Sequence, residues 1–193
     1  MRTTIVMTVL LLVVTASAAA QNKAAQSSKS DKNEATGIPC LFDPNRGEVP
    51  NCLHKGNTGD LFVVPQYLKD LKFDPRGWAI VHSPSAGWMY VNRIGKVVIS
   101  GIPTMDNWAD EFHDGLVRIV RSKKYGFANS EGQVVISPIY DGALNFEKGR
   151  AEVCKGCKDK CVDARCEYHS FTGGQWFQIN AKGTVLTRLH PPH

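Results

Sequence analysis

The sequence predicts an all-β protein made of antiparallel β-hairpin repeats, about three and a half units in number, with a disulfide-rich loop insertion. Two observations carry this prediction. One hairpin phrase occurs three times: an aromatic residue, a short apolar strand, Asn-x-x-Gly and a second apolar strand. A Gly-led strand whose residues alternate with a period of two precedes each copy. Such repetition of one supersecondary unit is typical of repeat folds.

The hairpin turns are defined by Asn and Gly at a fixed spacing. The side chain of Asn can accept hydrogen bonds from the backbone of the turn, and Gly supplies the positive φ that closes a short hairpin loop. The three turn pairs are Asn92 with Gly95, Asn129 with Gly132, and Asn180 with Gly183. The exit strand after each turn is rich in Val, and we expect it to be covered on both faces.

The Gly-led strands place small apolar residues on one face and varied residues on the other. The small apolar positions are Ala79 and Val81, Val117 and Ile119, and Ala151 and Val153. A strand of this pattern is half-buried in an antiparallel sheet. Residues 57–65 resemble one turn with its exit strand, which predicts a partial unit at the front. The third copy carries an insertion, residues 155–174.

The segment 124–151 resembles a full unit of the WG-repeat proteins of bacteria. It contains the aromatic-Gly pair Tyr125-Gly126, the Asn-x-x-Gly turn, Val-Val-Ile, Pro and Tyr-Asp. The other copies depart from the pattern, since Met89 and Phe177 replace the Gly after the aromatic residue and Asp106 stands where Tyr is expected. The resemblance covers about residues 57–187. It implies a β-rich repeat fold of exported or envelope proteins, and it implies no established catalytic site.

The N-terminus has the pattern of a secretory signal peptide, residues 1–20. Arg2 precedes an apolar run, and Ala18-x-Ala20 supplies a cleavage site before Gln21. A membrane anchor is the alternative, but a span needs roughly 20 apolar residues. We therefore expect a secreted or periplasmic protein that does not span the membrane.

The mature chain then divides into three parts. The polar segment 21–37 predicts a flexible leader. Residues 38–189 form the expected β domain, and residues 190–193 form a tail.

An even number of cysteines in an exported chain predicts disulfides. Cys40 and Cys52 enclose a turn-rich loop, and we expect them to pair, with a free or intermolecular thiol as the alternative.

The other four cysteines cluster in or beside the insertion: Cys154, Cys157, Cys161 and Cys166. We expect two structural disulfides here, with all three pairings open. Zinc is one alternative, with His169 as a spare ligand. A redox pair is another, because Lys155 between Cys154 and Cys157 favours a thiolate.

The tryptophans divide into two groups. All four tryptophans are candidates for an aromatic binding face, but Trp88 and Trp176 share the repeat position of Tyr125, which favours a packing role between units. Trp78 and Trp108 lie outside that register and are candidates for surface contacts, such as an aromatic binding face for glycans.

No catalytic motif is visible in the sequence. Asp110, Glu111 and Asp114 form a short acidic cluster that we expect at the surface, and His113 beside it should be solvated. No nucleophile elbow, phosphate-binding loop or dinucleotide fingerprint occurs. The net charge is +5, but its basic residues are mixed with acidic ones, which disfavours nucleic-acid binding.

The function predicted from these features is that of an exported, non-enzymatic binding or scaffold protein of the cell envelope. Its partner is expected to be an envelope or extracellular protein, with no cofactor and no metal, and the oligomeric state stays open. The competing hypothesis is a thiol-redox or zinc protein centred on the insertion. A hydrolase of cell-wall glycans is more distant, since paired carboxylates cannot be recognised in one dimension.

Overall fold

The protein, described by a computed structural model over residues 37–105, 108–164 and 169–190, is built from antiparallel sheets. The strands are β1 (Ile38–Cys40), β2 (Val49–Lys55), β3 (Leu61–Val63), β4 (Ala79–Ser83), β5 (Gly87–Val91), β6 (Val97–Ile102), β7 (Thr104–Met105), β8 (Trp108–Ala109), β9 (Leu116–Arg121), β10 (Lys124–Asn129), β11 (Val134–Tyr140), β12 (Gly142–Ala143), β13 (Arg150–Lys155), β14 (Lys158–Cys161), β15 (His169–Thr172), β16 (Gln175–Asn180) and β17 (Val185–Leu189). A short 3₁₀ helix, Pro65–Asp70, follows β3. The all-β, antiparallel prediction is confirmed.

Several sequence-based expectations fall outside the described residues. They are the signal peptide 1–20, all of the leader 21–37 except Gly37, the tail after His190, Asp106 and Cys166. In the part that is described, no helix has the length and apolar character needed to cross a membrane.

Each repeat unit is a meander of three antiparallel strands. Unit 1 contains β1, β2 and β3; unit 2 contains β4, β5 and β6; unit 3 contains β9, β10 and β11; unit 4 contains β13, β16 and β17, with β12 added at the edge. The sequence predicts only a turn and an exit strand at the front. In the structure β1 and β2 supply the two strands before this turn and complete unit 1.

The predicted turns have one geometry in the three copies. In unit 3 the carboxamide oxygen of Asn129 accepts hydrogen bonds from the backbone N–H groups of Glu131, at 3.1 Å, and Gln133, at 2.9 Å. Gly132 follows with a φ of 82°. Asn92 and Asn180 make the equivalent pairs of bonds. The side chain of Asn therefore organises the turn, as its position in the sequence predicts.

The front turn begins one residue earlier than the sequence suggests. Gly56, rather than Asn57, occupies the Asn position. Its N–H donates to the carbonyl of Asp60 at 2.7 Å, and the N–H of Gly59 donates to Gly56 at 2.9 Å. Unit 1 therefore has the same loop without the side-chain bonds of Asn.

The turn glycines also join one unit to the next. A Cβ built on each would contact the exit strand of the preceding unit. The pairs are Gly95 with Val63, Gly132 with Val98, and Gly183 with Ile136. At Gly95 the contact includes a hydrogen bond of 2.8 Å, donated by the N–H of Val63 to the Gly95 carbonyl. At Gly59 of unit 1, by contrast, no atom of the described residues lies within 4 Å of a built Cβ. One residue type thus serves both the hairpin and the stacking of units.

The core lies between successive units, because each unit buries the small apolar face of its Gly-led strand. All six predicted positions on these strands, from Ala79 to Val153, are buried. Separate clusters lie between units 1 and 2, units 2 and 3, and units 3 and 4, with a smaller one beneath the insertion. The varied face is not uniformly solvated, since Arg118 on β9 is buried as well.

The exit strands are less covered than the sequence suggests. Val134 and Val135 of unit 3 are partly exposed, and Val185 and Leu186 of unit 4 are about half exposed. The expectation of cover on both faces is therefore wrong in the last two units. Val135 and Ile136 are neighbours on β11 and therefore point to opposite faces, and it is Ile136 that is buried in the core.

Candidate functional site

The strongest candidate site is a cleft of about 400 Å³ between the loop after β1, the Gly-led strand of unit 2 and the segment after β8. We call it the aromatic cleft. Its lining residues are Phe42, Pro44, Lys72, Asp74, Arg76, Trp78, Ile80, Tyr90, Trp108, Glu111 and Phe112. Because strands and a disulfide-bonded loop supply its walls, the cleft is positioned by the repeat scaffold.

A tight turn before β4 positions the polar side chains of the cleft. Asp74 Oδ1 accepts hydrogen bonds from the backbone N–H groups of Arg76, at 3.0 Å, and Trp78, at 2.9 Å. Asp74 Oδ2 lies 2.8 Å from Nε of Arg76 and 2.7 Å from Nη2. The guanidinium in turn lies over the ring of Phe112, 4.3 Å from its centroid. The Arg76 guanidinium is therefore held between the Asp74 carboxylate, to which it is paired, and the Phe112 ring, on which it lies.

The Asp74 carboxylate is stabilised in its ionised form. Partial burial acts to raise its pKa, but hydrogen bonds from the Trp78 backbone and the Arg76 guanidinium outweigh that effect and lower the pKa overall. Both oxygens are thus committed to groups of the turn itself.

Aromatic rings form the rest of the wall. Tyr90 is the centre, with Trp78 edge-on at 6.4 Å and Phe112 tilted at 5.1 Å between ring centroids. Trp108 packs on Trp88 at 4.6 Å. Trp78 and Trp108 are only half-buried, so parts of both indoles face the cleft.

The Tyr90 hydroxyl fixes this wall to a buried polar network. It donates to the backbone carbonyl of Asp110 at 2.8 Å. Burial, reinforced by the nearby Asp110 and Glu111 carboxylates, raises the pKa of the Tyr90 phenol. The phenol therefore stays protonated and keeps its role as a donor.

The network contains an ion pair that corrects the expected surface acidic cluster. Asp110 is 1% exposed and Arg118 is 5% exposed. Nε and Nη2 of Arg118 donate to the two Asp110 oxygens at 2.8 and 3.0 Å, and Nη1 donates to the Ala143 carbonyl at 2.9 Å. Glu111 and Asp114 are exposed, as the sequence suggests. Asp110 is buried because β9 places an arginine fork opposite it, a pairing eight residues apart that no local pattern reveals.

The positions equivalent to the aromatic-Gly pair have a packing geometry. Trp88 and Trp176 are buried, and Tyr125 is half-buried with its ring edge-on to Phe171 at 5.3 Å. The Trp176 indole N–H donates to the Gly173 carbonyl at 2.9 Å. At Gly126 a Cβ would lie 2.7 Å from the backbone nitrogen of Pro138, so the bulged exit strand leaves no space for a side chain.

The insertion forms a hairpin of β14 and β15 rather than an irregular loop. A disulfide joins Cys154 to Cys157, with 5.9 Å between their Cα atoms, and another joins Cys40 to Cys52 at 5.5 Å. None of the described cysteines, Cys161 included, is a free thiol. Cysteines bind zinc as thiolates, so this oxidised form does not suit a zinc site built on these cysteines. Among the described residues, no three His, Cys, Asp or Glu side chains are grouped to hold a metal.

A comparison with known families identifies part of the array. Residues 125–160 match the family model described as a WG containing repeat. The chain carries a WG repeat. The matched WG repeat begins at the Tyr125-Gly126 pair and runs through β11, β12 and β13 into the first strand of the insertion. No curated protein matches the chain significantly. The aromatic cleft lies outside the matched WG repeat, so the match itself says nothing about the cleft.

Sequence reasoning singles out two members of the cleft and misses the others. Trp78 and Trp108 are named as candidates for surface contact, and both line the cleft. Phe42 comes from a distant loop and Phe112 from the segment after β8, so only the fold brings them together. A local signal for Arg76 does exist, since Asp74-Pro75-Arg76-Gly77 is a strong turn sequence.

Proposed function

We propose that the protein is an exported, non-enzymatic β-repeat module that binds a partner protein of the cell envelope or extracellular medium at its aromatic cleft. The observation that supports this proposal best is the cleft itself. Trp, Tyr and Arg side chains are enriched at the energetic centres of protein interfaces, and here they are fixed in place before any partner binds. Preorganised side chains lose little conformational entropy on binding.

The repeat architecture supports a binding role. Stacked units expose an extended surface on a rigid support, and repeat proteins commonly bind through such surfaces. The signal-peptide pattern of residues 1–20 and the disulfides support export, because disulfides persist in oxidising compartments.

The test is capture of a partner by the mature domain from envelope and culture-supernatant fractions, compared between variants. Trp108→Ala should lose the captured protein, because it removes a ring from the cleft wall. Ile139→Ala is the matched control, since it removes an exposed apolar side chain of β11 away from the cleft. Retention by Trp108→Ala, or capture lost equally in both variants, would contradict the proposal.

A thiol-redox function is the second candidate, and one observation favours it: the disulfide joins the two cysteines of a Cys-x-x-Cys sequence. Burial opposes it. Cys154 is 0% exposed and Cys157 is 7% exposed, under Trp176, Phe171 and Leu189. Thiol–disulfide exchange requires access to a sulfur.

Mass spectrometry after mild reduction and alkylation of the folded protein separates the two functions. A structural disulfide at Cys154–Cys157 should stay about as unreactive as Cys40–Cys52, whose two residues are also buried. Selective, rapid reduction of Cys154–Cys157 would instead favour the redox function.

A further inference from the structure

In the aromatic cleft most hydrogen-bond acceptors are already used within the protein, whereas several donors are not. The Tyr90 hydroxyl and both Asp74 oxygens already have partners within the protein. In the part of the chain that the structure describes, the indole N–H groups of Trp78 and Trp108 have no hydrogen-bond partner. Nη1 of Arg76 is not used in its pair with Asp74. Three residues that line the cleft, Arg76, Trp78 and Trp108, therefore carry donors that the described part of the protein does not use.

The charges of the cleft balance. Arg76 is paired with Asp74 at 2.7 Å. The remaining ionised side chains, Lys72 and Glu111, carry opposite signs, and both are exposed at the rim. A cleft without net charge complements an occupant without net charge, because an unpaired charge brought into it would lose hydration without compensation.

We infer that the occupant of the aromatic cleft is an uncharged, proline-rich segment of the partner protein in an extended, polyproline II conformation. The inference rests on the proposed function and specifies its ligand. Proline has no backbone N–H, so such a segment presents carbonyl acceptors without donors of its own. Its rings pack on aromatic side chains, and its preformed conformation reduces the entropy lost on binding.

The size of the cleft is consistent with a short segment. Its volume of about 400 Å³ lies at the lower end of the range of ~300–1,000 Å³ that is common for ligand sites. A few residues of an extended chain can enter it, whereas a folded domain can only rest on its rim.

A glycan is the other occupant that aromatic rings suggest. It is disfavoured because the cleft has few free acceptors for the hydroxyl donors of a sugar. Sugar hydroxyls both donate and accept hydrogen bonds. The cleft contains one uncommitted carboxylate, Glu111, whereas the Asp74 carboxylate is already satisfied by Arg76 and the backbone. A sugar in this cleft would leave most of its donors without a protein acceptor.

The direct test is titration of the mature protein with a capped oligoproline peptide, followed by calorimetry and by NMR of the indole N–H groups. We expect saturable binding in which the Trp78 and Trp108 signals move as their N–H groups begin to donate. The Trp176 signal is an internal control and should stay fixed, since that N–H already bonds to Gly173. A capped Gly/Ser peptide of equal length should not bind.

Two variants distinguish the effect of the indole N–H on binding from the effect of the aromatic ring and from a general loss of stability. Trp108→Phe keeps a ring against Trp88 but removes the N–H, and it should weaken oligoproline binding by about tenfold, the range of one interfacial anchor. Ile139→Ala should bind as the parent does. Melting curves of both variants show whether the fold is retained. If Trp108→Phe unfolds, the shift of the Trp78 signal in the parent protein still decides the question.

Different failures overturn different statements. If oligoproline does not bind, or binds without moving either cleft indole, the assignment of a proline-rich segment is wrong. If a soluble glycan-strand fragment of the cell wall binds and moves the same signals, the occupant is a glycan and the assignment is also wrong. The proposed function fails separately, when no envelope protein is captured in a manner that depends on Trp108.

Discussion

Replacement of Gly95 by alanine tests whether the turn glycines hold the repeat units together. Gly95 has a φ of 79°, and a Cβ there would lie 3.0 Å from the carbonyl oxygen of Val63 and 2.8 Å from Cδ2 of Leu68. An alanine at positive φ costs ~1–2 kcal/mol. Displacement of the packed neighbouring unit costs ~1–3 kcal/mol more. We expect Gly95→Ala to lower the free energy of unfolding by ~2–5 kcal/mol.

The same turn in unit 1 provides the matched control. Gly59 has a φ of 84°, yet nothing in the described part of the chain lies within 4 Å of a built Cβ. Gly59→Ala therefore incurs the backbone strain without the contact between units, and it should cost only ~1–2 kcal/mol. The difference between the two variants isolates the contact.

The measurement is urea unfolding of both variants with the disulfides intact, followed by tryptophan fluorescence and circular dichroism. Coincident curves from the two probes justify a two-state treatment, and equal m-values make the midpoints comparable. If Gly95→Ala is no more destabilised than Gly59→Ala, the glycine serves only its own hairpin and the proposed stacking role is refuted.

Three further predictions concern other parts of the chain. Arg118→Met leaves the buried Asp110 carboxylate without its partner and should lower the unfolding free energy by ~3–5 kcal/mol. The loss should be smaller in the double variant Arg118→Met/Asp110→Asn, which removes the buried charge as well. A loss below ~1 kcal/mol for Arg118→Met in urea unfolding would contradict the pairing. Hydrogen bonds from Lys124 and from the Gly156 backbone lower the pKa of Asp141. This carboxylate therefore stabilises the fold at any pH above its unfolded-state pKa of about 3.9. The contribution is lost as the pH falls through the lower pKa of the folded state. Lys124→Met should therefore make the loss of stability on acidification shallower, and an unchanged pH profile would argue against it. Intact mass of the exported protein should correspond to a chain that begins at Gln21, and a mass that retains residues 1–20 would contradict cleavage at Ala20.

The sequence predicts the hairpins well because their causes are local. Asn129 and Gly132 define a turn through bonds that reach at most four residues along the chain. The buried face of each Gly-led strand follows from a period of two. These features depend on neighbours in sequence, so they are visible before any fold is known.

The features that the sequence does not predict depend on how the units stack. Asp110 stands beside Glu111 and resembles a surface acid, but β9 brings the Arg118 fork to it. The exposed Val135 follows the pattern of a covered strand, but the next unit does not bury that face. The aromatic cleft is likewise assembled from four separate segments: residues 42–44, residues 72–80, Tyr90 and residues 108–112.

The buried ion pair has a consequence for the cooperativity of the whole array. Arrays whose repeats contact only their neighbours can fray from the ends, one repeat at a time. Here the Tyr90 hydroxyl of unit 2 donates to the backbone carbonyl of Asp110, and Arg118 of unit 3 pairs with the Asp110 carboxylate. The same guanidinium also donates to the Ala143 carbonyl on the edge strand of unit 4. Because three units share one desolvated charge pair, loss of the last unit would admit water to a site that the second unit also depends on. Truncation or mechanical extension should therefore melt these units together, in one step rather than in a series.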